Sequence, residues 1–298
     1  MSTTISAGMV KELRERTGSG MMECKKALVE ADGNMDLAIE NMRKAGLAKA
    51  DKKSGRIAAE GIIGVKVSED GKAVAIVDIN CETDFVAKAD GFVSFVNSVT
   101  AALLNADHID TEADLLAMPL EDGVTVDEIR RGLISTLGEN ITIRRFERFK
   151  TTEGGTACYL HGNKIGVIVE LAVSDFELGK DIAMHIAASK PVCVSEDQVS
   201  ADTIAKEKEI FLAQQEEKIK GKPADIIEKM VTGRVSKFLA EVTLLGQPFI
   251  KDDKITVGKL VESKGNKAIR FIRFEVGEGI EKKEENFAEE VMAQVRGI

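Results

Sequence analysis

The spacing of apolar positions separates segments with a helical period from segments with a strand period. In residues 5–45 apolar side chains recur every three or four positions, which predicts three short helices. Turns at 18–20 and 32–34 end the first two helices, and we expect the third to end near Gly46. The charged residues 48–56 are typical of a solvated helix end or a linker.

From Ala59 onward the pattern becomes one of strands. Apolar positions at 62–67 and a β-branched run at 73–79 flank an acidic turn with glycine, which predicts a β-hairpin. A helix follows, with an apolar face between Phe92 and Leu103. The remaining predictions for this part are an irregular acidic stretch at 107–126, a helix at 126–137 and a strand at 140–146.

The next segment repeats this order of elements. Strands are predicted at 157–160 and 164–171, followed by a helix that contains His185. A shift of 175 − 84 = 91 residues aligns Asp84-Phe85 with Asp175-Phe176. The repeat indicates two related α+β units, although two buried hairpins can also share such a pattern by chance.

The last third of the chain is rich in charge. Helices predicted at 202–219 and 223–240 carry a narrow apolar stripe between many charged residues, which favours an antiparallel coiled coil that projects from the body. Pro223 suits the first turn of the second helix. A strand at 268–276 and a charged helix from Lys282 close the chain.

Composition and charge narrow the class of protein. The chain has 298 residues, 44% hydrophobic and 31% charged, which argues against intrinsic disorder. Its net charge of 41 − 50 = −9 argues against direct binding of nucleic acid, which usually requires a basic face. Residues 1–6 do not resemble a signal peptide, and the longest uncharged stretch, 91–106, is too short and too polar to cross a membrane. We therefore expect an acidic, soluble, cytoplasmic protein.

Signatures of enzymes and metal sites are missing from the sequence. The four cysteines are at least 35 residues apart, which favours free thiols over a metal site. The glycine turn at 18–20 joins two helices and does not follow a strand, so it is not a dinucleotide-binding loop. His185 falls on the apolar face of its helix and is predicted to be a core histidine. We expect no enzymatic activity, no cofactor and no bound metal.

One loop allows two interpretations. Residues 81–87 connect the predicted strand 73–79 to a helix. In the first interpretation Asp84 caps the helix and Phe85 is buried as a hydrophobic staple. In the second, Phe85 is exposed and enters a partner, where Asp84 disturbs a charged site. The Asp-Phe pair of the second repeat is a control, because a pure fold requirement should bury both copies equally.

This loop belongs to a set of motifs that resembles bacterial translation elongation factor Ts. The motifs lie in order between about Val10 and Phe287. They are KELRERTG at 11–18, MMECKKAL at 21–28, TDFVA at 83–87, HIAASKP at 185–191 and IRFEVGEG at 272–279. The resemblance implies a guanine-nucleotide exchange factor whose partner is elongation factor Tu.

The resemblance also implies an α+β fold with five segments. They are an N-terminal three-helix module similar to ubiquitin-associated domains with its linker (1–56), a first core subdomain (57–139), a second core subdomain (140–200 and 241–280), a coiled-coil insertion (201–240) and a C-terminal helical module (281–298). Both core subdomains are expected to combine antiparallel sheets with helices.

Contacts with elongation factor Tu are implied at named positions. The loop of Thr83, Asp84, Phe85 and Val86 is expected to enter the GTPase domain near its magnesium and phosphate site. The other implied contacts are His161, Leu137 and Gly138 in the core, Arg14, Met21 and Met22 on the N-terminal module, and Ile250 near the part that holds the far domain of Tu.

The sequence also permits a function other than nucleotide exchange. The N-terminal helices and the coiled coil could belong to a non-catalytic binding or scaffold protein, and either the coiled coil or the core could support self-association. Deletion of the coiled coil should leave exchange largely intact if that element serves only assembly.

Overall fold

Three helices form the first part of the molecule. The structure is a computed structural model that describes residues 4–120 and 123–281. The helices are α1 (Ala7–Thr17), α2 (Met21–Glu30) and α3 (Met35–Lys53). They pack around a small core that includes Leu13, Cys24 and Leu28.

The third helix runs further than the sequence predicted. It continues through Gly46 to Lys53, so the expected end near Gly46 is wrong. A Cβ atom at Gly46 would lie 3.0 Å from the Oγ atom of Ser135, which belongs to a later helix. The glycine therefore allows two helices to approach closely, and it does not end α3.

The first sheet contains three antiparallel strands. They are β1 (Glu60–Val67), β2 (Ala73–Cys81) and β3 (Ile141–Lys150), in the order β1-β2-β3. The described residues between β2 and β3 include the α-helices α4 (Asp84–Ala87), α5 (Asp90–Asn105), α6 (Glu112–Ala117) and α7 (Val126–Leu137). The apolar face of α5 packs on this sheet, with Phe92 and Leu103 fully buried.

The second sheet has the same arrangement. Its strands are β4 (Gly155–His161), β5 (Ile165–Leu171) and β8 (Ala268–Glu275), again antiparallel and with the hairpin partner β5 in the middle. The helix α8 (Phe176–Ser189) follows β5 and covers this sheet with Ile182 and Ile186. The repeat read in the sequence therefore corresponds to two sheets of one topology.

The two sheets pack against each other. Ile63, Ile76 and Ile168 are buried between them, together with Phe149 and Phe274. A Cβ atom at Gly166 would lie only 2.4 Å from the Cγ2 atom of Ile63, so the absence of a side chain there permits the close approach of the sheets.

A helical hairpin and a small β-hairpin stand between α8 and β8. These elements are α9 (Ala201–Gln214), α10 (Glu216–Ile219), α11 (Ala224–Val242), β6 (Pro248–Phe249), β7 (Asp252–Thr256) and α12 (Val257–Ser263). None of the described side chains between 201 and 242 is buried. The helical hairpin therefore adds little to the core of the molecule.

Three further predictions need adjustment. The stretch 107–126 is not wholly irregular, because Thr111 and Asp114 form a capping box that starts α6. The helix predicted at 202–219 is interrupted at Gln215, and the strand predicted at 140–146 extends to Lys150. The helix predicted from Lys282 lies outside the described residues. Nowhere in the described ranges does a helix have the length and apolarity needed to cross a membrane.

Candidate functional site

The turn after β2 presents an aromatic side chain to solvent. Thr83 is the N-cap of α4, and its hydroxyl accepts a hydrogen bond from the amide of Val86 at 3.4 Å. Val86 is buried, whereas 81% of the Phe85 surface is exposed. The interpretation of Asp84 as cap and Phe85 as buried staple is therefore wrong.

Two carboxylates, one from each side, hold this turn to the segment after α7. The Thr83 amide donates to Oε2 of Glu139 at 2.9 Å, and its hydroxyl donates to Oε1 at 2.6 Å. In the opposite direction, the Asn140 amide donates to Oε1 of Glu82 at 2.6 Å. Each segment therefore supplies a carboxylate to the backbone of the other.

Leu137 and Gly138 lie directly before these contacts. Gly138 ends α7 in the left-handed conformation with φ 83°, which favours glycine. Its carbonyl accepts a hydrogen bond from the ammonium group of Lys53, and Leu137 is half-buried against the core of the first sheet. The 137–138 segment is therefore followed directly by the residues that hold the turn, Glu139 and Asn140.

The carboxylate of Asp84 is exposed and paired. Lys88 donates to its Oδ2 atom at 2.6 Å, and this hydrogen bond lowers the pKa of Asp84 below its ordinary value. The charges of Glu60 and Lys164 also act on Asp84. Beneath the turn, burial and the negative charge of Glu139 raise the pKa of the Cys81 thiol to about 12.

His161 lies at the end of a strand of the second sheet. It is exposed at the end of β4, and its Nδ1 atom lies 3.2 Å from the hydroxyl of Tyr159. The turn that follows is fixed to β1, because Lys164 donates to Glu60 at 2.8 Å and the Asn163 carbonyl accepts from the Ile63 amide at 2.9 Å. The positive charge of Lys164, which lies in this turn, also lowers the pKa of Asp84.

The phenylalanine of the second Asp-Phe pair is also exposed. Phe176 shows 60% of its surface to solvent, so exposure alone does not distinguish the two turns. Asp175, however, is the N-cap of α8 and accepts from the Leu178 amide at 3.0 Å. Asp84 does not cap its helix, because Thr83 occupies that position. Its carboxylate is therefore available to a partner once Lys88 releases it.

The remaining predicted contacts lie on other elements. Met21 and Met22 start α2 and are 56% and 76% exposed, and Arg14 is exposed on α1. Ile250 is half exposed beyond β6, and its amide donates to Nδ1 of the buried His185 at 3.2 Å. These residues lie on elements other than the turn.

Sequence reasoning missed two residues of the site. Lys88 was detectable, since a lysine four positions after Asp84 on a helix is placed to form an ion pair. Glu139 was not, because its contact with Thr83 spans 56 residues of chain and follows no local pattern.

Comparisons with known proteins identify the family. The family model described as "Elongation factor TS" matches residues 82–278, a span that contains the turn, β3 and the whole second sheet. The chain belongs to the elongation factor Ts family. Its relatives include the elongation factors Ts of Methylococcus capsulatus (64% identical, covering 98% of this chain and 99% of the relative) and Thioalkalivibrio sulfidiphilus (60% identical, covering 99% of each).

Membership of the elongation factor Ts family gives the chain its role. It is a guanine-nucleotide exchange factor for elongation factor Tu in translation elongation. An exchange factor changes which nucleotide is bound and transfers no chemical group. The mixed helices and antiparallel sheets agree with the α+β class expected from the sequence.

Proposed function

We propose that the Thr83–Val86 turn is the part of the molecule that enters elongation factor Tu near its magnesium and phosphate site. The observation that supports this proposal is the exposure of Phe85 on a turn held by buried Val86 and by Glu139. An exposed aromatic side chain on a fixed backbone can bury its surface in a partner with little loss of backbone freedom.

Binding linkage explains how such a contact accelerates release of GDP. If the factor binds nucleotide-free Tu more tightly than loaded Tu, nucleotide and factor weaken each other by the same ratio. Burial of Phe85 contributes roughly 1.5–3 kcal/mol. Since each ~1.4 kcal/mol changes an affinity tenfold, Phe85 alone supplies only part of a large exchange effect.

Asp84 supplies a second contribution in this proposal. Its carboxylate is ionised, exposed and held at 2.6 Å by Lys88, so it must leave that partner when the turn inserts. A carboxylate brought close to a hard cation and its oxygen ligands alters the field that holds the cation and the phosphates. Asp84 would therefore weaken the magnesium site while Phe85 provides apolar contact.

The other contacts would supply affinity away from the nucleotide. We assign His161, Leu137 and Gly138 to the surface around the turn. The exposed Arg14, Met21 and Met22 would bind a helix of the GTPase domain, and Ile250 would lie near the far domain. Because these surfaces lie on different elements, binding and exchange can be separated by mutation.

The proposal includes an organisation of the chain. We propose a ubiquitin-associated-like module at 1–56, core subdomains at 57–139 and at 140–200 with 241–280, a coiled coil at 201–240 and a C-terminal module at 281–298. The half-exposed Ile210, Leu212 and Ile226 of the helical hairpin support a role of the coiled coil in self-association.

Release of fluorescent GDP from elongation factor Tu tests the proposed role of the turn. Wild-type protein in catalytic amounts should accelerate release, and Phe85→Ala should lose most of that acceleration. The melting temperature of Phe85→Ala should stay close to that of wild type, since the side chain is exposed. Phe176→Ala is the matched control, because it removes an exposed phenylalanine from the equivalent turn of the second sheet.

Three results decide between the alternatives. Loss of exchange in Phe85→Ala alone supports the turn as the inserted element. Equal acceleration by wild type and Phe85→Ala would keep the exchange role and move the site toward His161 and the N-terminal module. A large drop in the melting temperature of Phe85→Ala would contradict its placement on the surface.

A further inference from the structure

The side chain of Glu139 reaches the Asp84-Phe85 turn from a distant part of the chain. Its two oxygens accept from the amide and the hydroxyl of Thr83 at 2.9 and 2.6 Å. We propose that Glu139 is a positioning residue for nucleotide exchange, because its carboxylate holds Thr83 and so fixes the orientation in which Phe85 is presented. This inference rests on the function proposed above for the turn.

The turn needs such support because α4 is only four residues long. A single helical turn is unstable by itself, since its first hydrogen bond must order several residues. The cap that Thr83 supplies within α4 is long, at 3.4 Å to the Val86 amide. The bonds to Glu139 are shorter and involve a charged acceptor, which makes them the stronger pair.

Glu139 is itself held in place. The neighbouring Asn140 is buried, and its amide donates to Glu82 at 2.6 Å. The Asn140 side chain donates to the carbonyls of Ser54 and Arg56 at 3.3 and 2.8 Å. The backbone that carries Glu139 is therefore anchored both to the turn and to the segment after α3, so Glu139 can act as a fixed support.

Loss of the contact between Glu139 and Thr83 should lower the limiting rate of GDP release more than it changes the half-saturating concentration of the factor. The other proposed contacts lie on segments that do not carry Glu139, namely those of Arg14, Met21, Met22 and Ile250. Formation of the first complex with GDP-loaded Tu should therefore persist. Insertion of Phe85 would then require ordering of a looser turn, which lowers the rate of GDP release within that complex.

The chain offers a matched control at α6. Asp114 accepts from the amide and the hydroxyl of Thr111 at 2.9 and 2.7 Å through its Oδ2 atom. This pair also joins a carboxylate to an N-cap threonine, and it lies outside the proposed contact surface. Asp114→Ala therefore removes the same kind of interaction without disturbing the turn.

The experiment measures release of fluorescent GDP from elongation factor Tu at increasing concentrations of the full-length factor. Each variant yields a limiting rate and a half-saturating concentration. Glu139→Ala should lower the limiting rate by about tenfold, as expected for the loss of hydrogen bonds to a charged group, and should change the half-saturating concentration by less than about twofold. Asp114→Ala should change neither value.

Two further variants separate positioning from a general loss of stability. In Glu139→Gln the amide oxygen can accept from the Thr83 amide and the NH2 group can donate to the hydroxyl, so most of the rate should return. Combined with Phe85→Ala, the Glu139→Ala substitution should add little, because both act through one side chain. If Glu139→Ala does not fold, Glu139→Asp shortens the reach by one methylene and should also lower the limiting rate.

The results that would contradict the positioning role differ from those that would contradict the proposed role of the turn. A wild-type limiting rate in Glu139→Ala, or an undiminished further loss on the Phe85→Ala background, overturns the positioning role while the proposed function stands. If Phe85→Ala exchanges like wild type, the proposed role of the turn fails, and the positioning role fails with it.

Discussion

At the scale of single residues, hydrogen bonding fixes the protonation state of buried His185. The Ile250 amide donates to its Nδ1 atom at 3.2 Å, so Nδ1 carries a lone pair. The Nε2 atom then carries the proton and donates to Oε1 of Gln247 at 2.9 Å. Protonation would place a second N–H group against the Ile250 amide. Burial also lowers the pKa of His185 below its ordinary value of 6.5.

This histidine should make stability depend on pH. Because the pKa is lower in the folded protein, the unfolded chain binds the proton more readily below about pH 6.5, and stability falls as the pH decreases through that region. We expect the melting temperature of wild type to drop between about pH 7.5 and about pH 5.5, and His185→Gln to show a smaller drop. Differential scanning calorimetry measures both.

The control for this prediction is His108→Asn. His108 is exposed, and its φ of 59° suits asparagine. This variant should keep the wild-type dependence on pH. Identical pH profiles for wild type and His185→Gln would show that another group governs the acid loss of stability.

Local chemistry allowed the sequence to predict some of these residues but not others. The helical pattern placed His185 in the core, because its neighbours on the helix face are apolar. It did not select Thr83 over Asp84 as the cap, since both residue types are good caps and only the backbone path decides. Glu139 escaped detection because its partner is remote in sequence. The exposure of Phe85 remained one of two alternatives, because the residue types in the loop did not decide which of them caps the helix.

At the scale of elements, periodicity predicted most helices and strands, and two of the errors follow from packing at Gly46 and from a local cap at α6. Gly46 resembles a helix end locally, but contact with Ser135 makes a glycine useful inside α3. The capping box of Thr111 and Asp114 starts a short helix in a stretch whose composition indicated a loop. Tertiary contact overrode the local preference at Gly46, and an unrecognised cap explains α6.

The contact between the sheets leads to a prediction at this scale. In Gly166→Ala the new methyl group would meet Ile63 at 2.4 Å and Val65 at 3.0 Å, so the sheets must separate. Overpacking of this kind costs about 1–3 kcal/mol, and urea unfolding should show it as a lower midpoint.

The matched variant for this test is Gly233→Ala on α11. A Cβ atom at Gly233 would meet no atom of another element within 4 Å. The substitution should raise stability by about 0.5–1 kcal/mol through helix propensity, provided that the unfolding signal includes α11. An unchanged midpoint in Gly166→Ala would mean that the sheets adjust without cost.

At the scale of the whole molecule, the arrangement of the two sheets fixes the turn after β4 against β1. The repeat in the sequence predicted two similar units but could not predict how they face each other. That arrangement depends on contacts such as Lys164 with Glu60 and the Asn163 carbonyl with the Ile63 amide, which cross between the units. The expectation that His161 contacts elongation factor Tu therefore came only from the family resemblance.

The separation of surfaces predicts that binding and exchange respond to different variants. Met21 and Met22 lie on α2, a different element from the turn, and are exposed. Replacement of both by alanine removes apolar surface whose burial contributes about 1.5–3 kcal/mol per side chain, so the half-saturating concentration for Tu should rise at least tenfold. The limiting rate of GDP release should stay near wild type, because Phe85 still inserts once the complex forms.

Val29→Ala is the control for this pair. Val29 is 57% exposed on the same helix, and it was not assigned to the contact surface. Its variant should leave both kinetic values unchanged, which separates loss of contact from disturbance of α2. A fall in the limiting rate of the double methionine variant at an unchanged half-saturating concentration would contradict the division of labour, since the N-terminal module would then act on the exchange step itself.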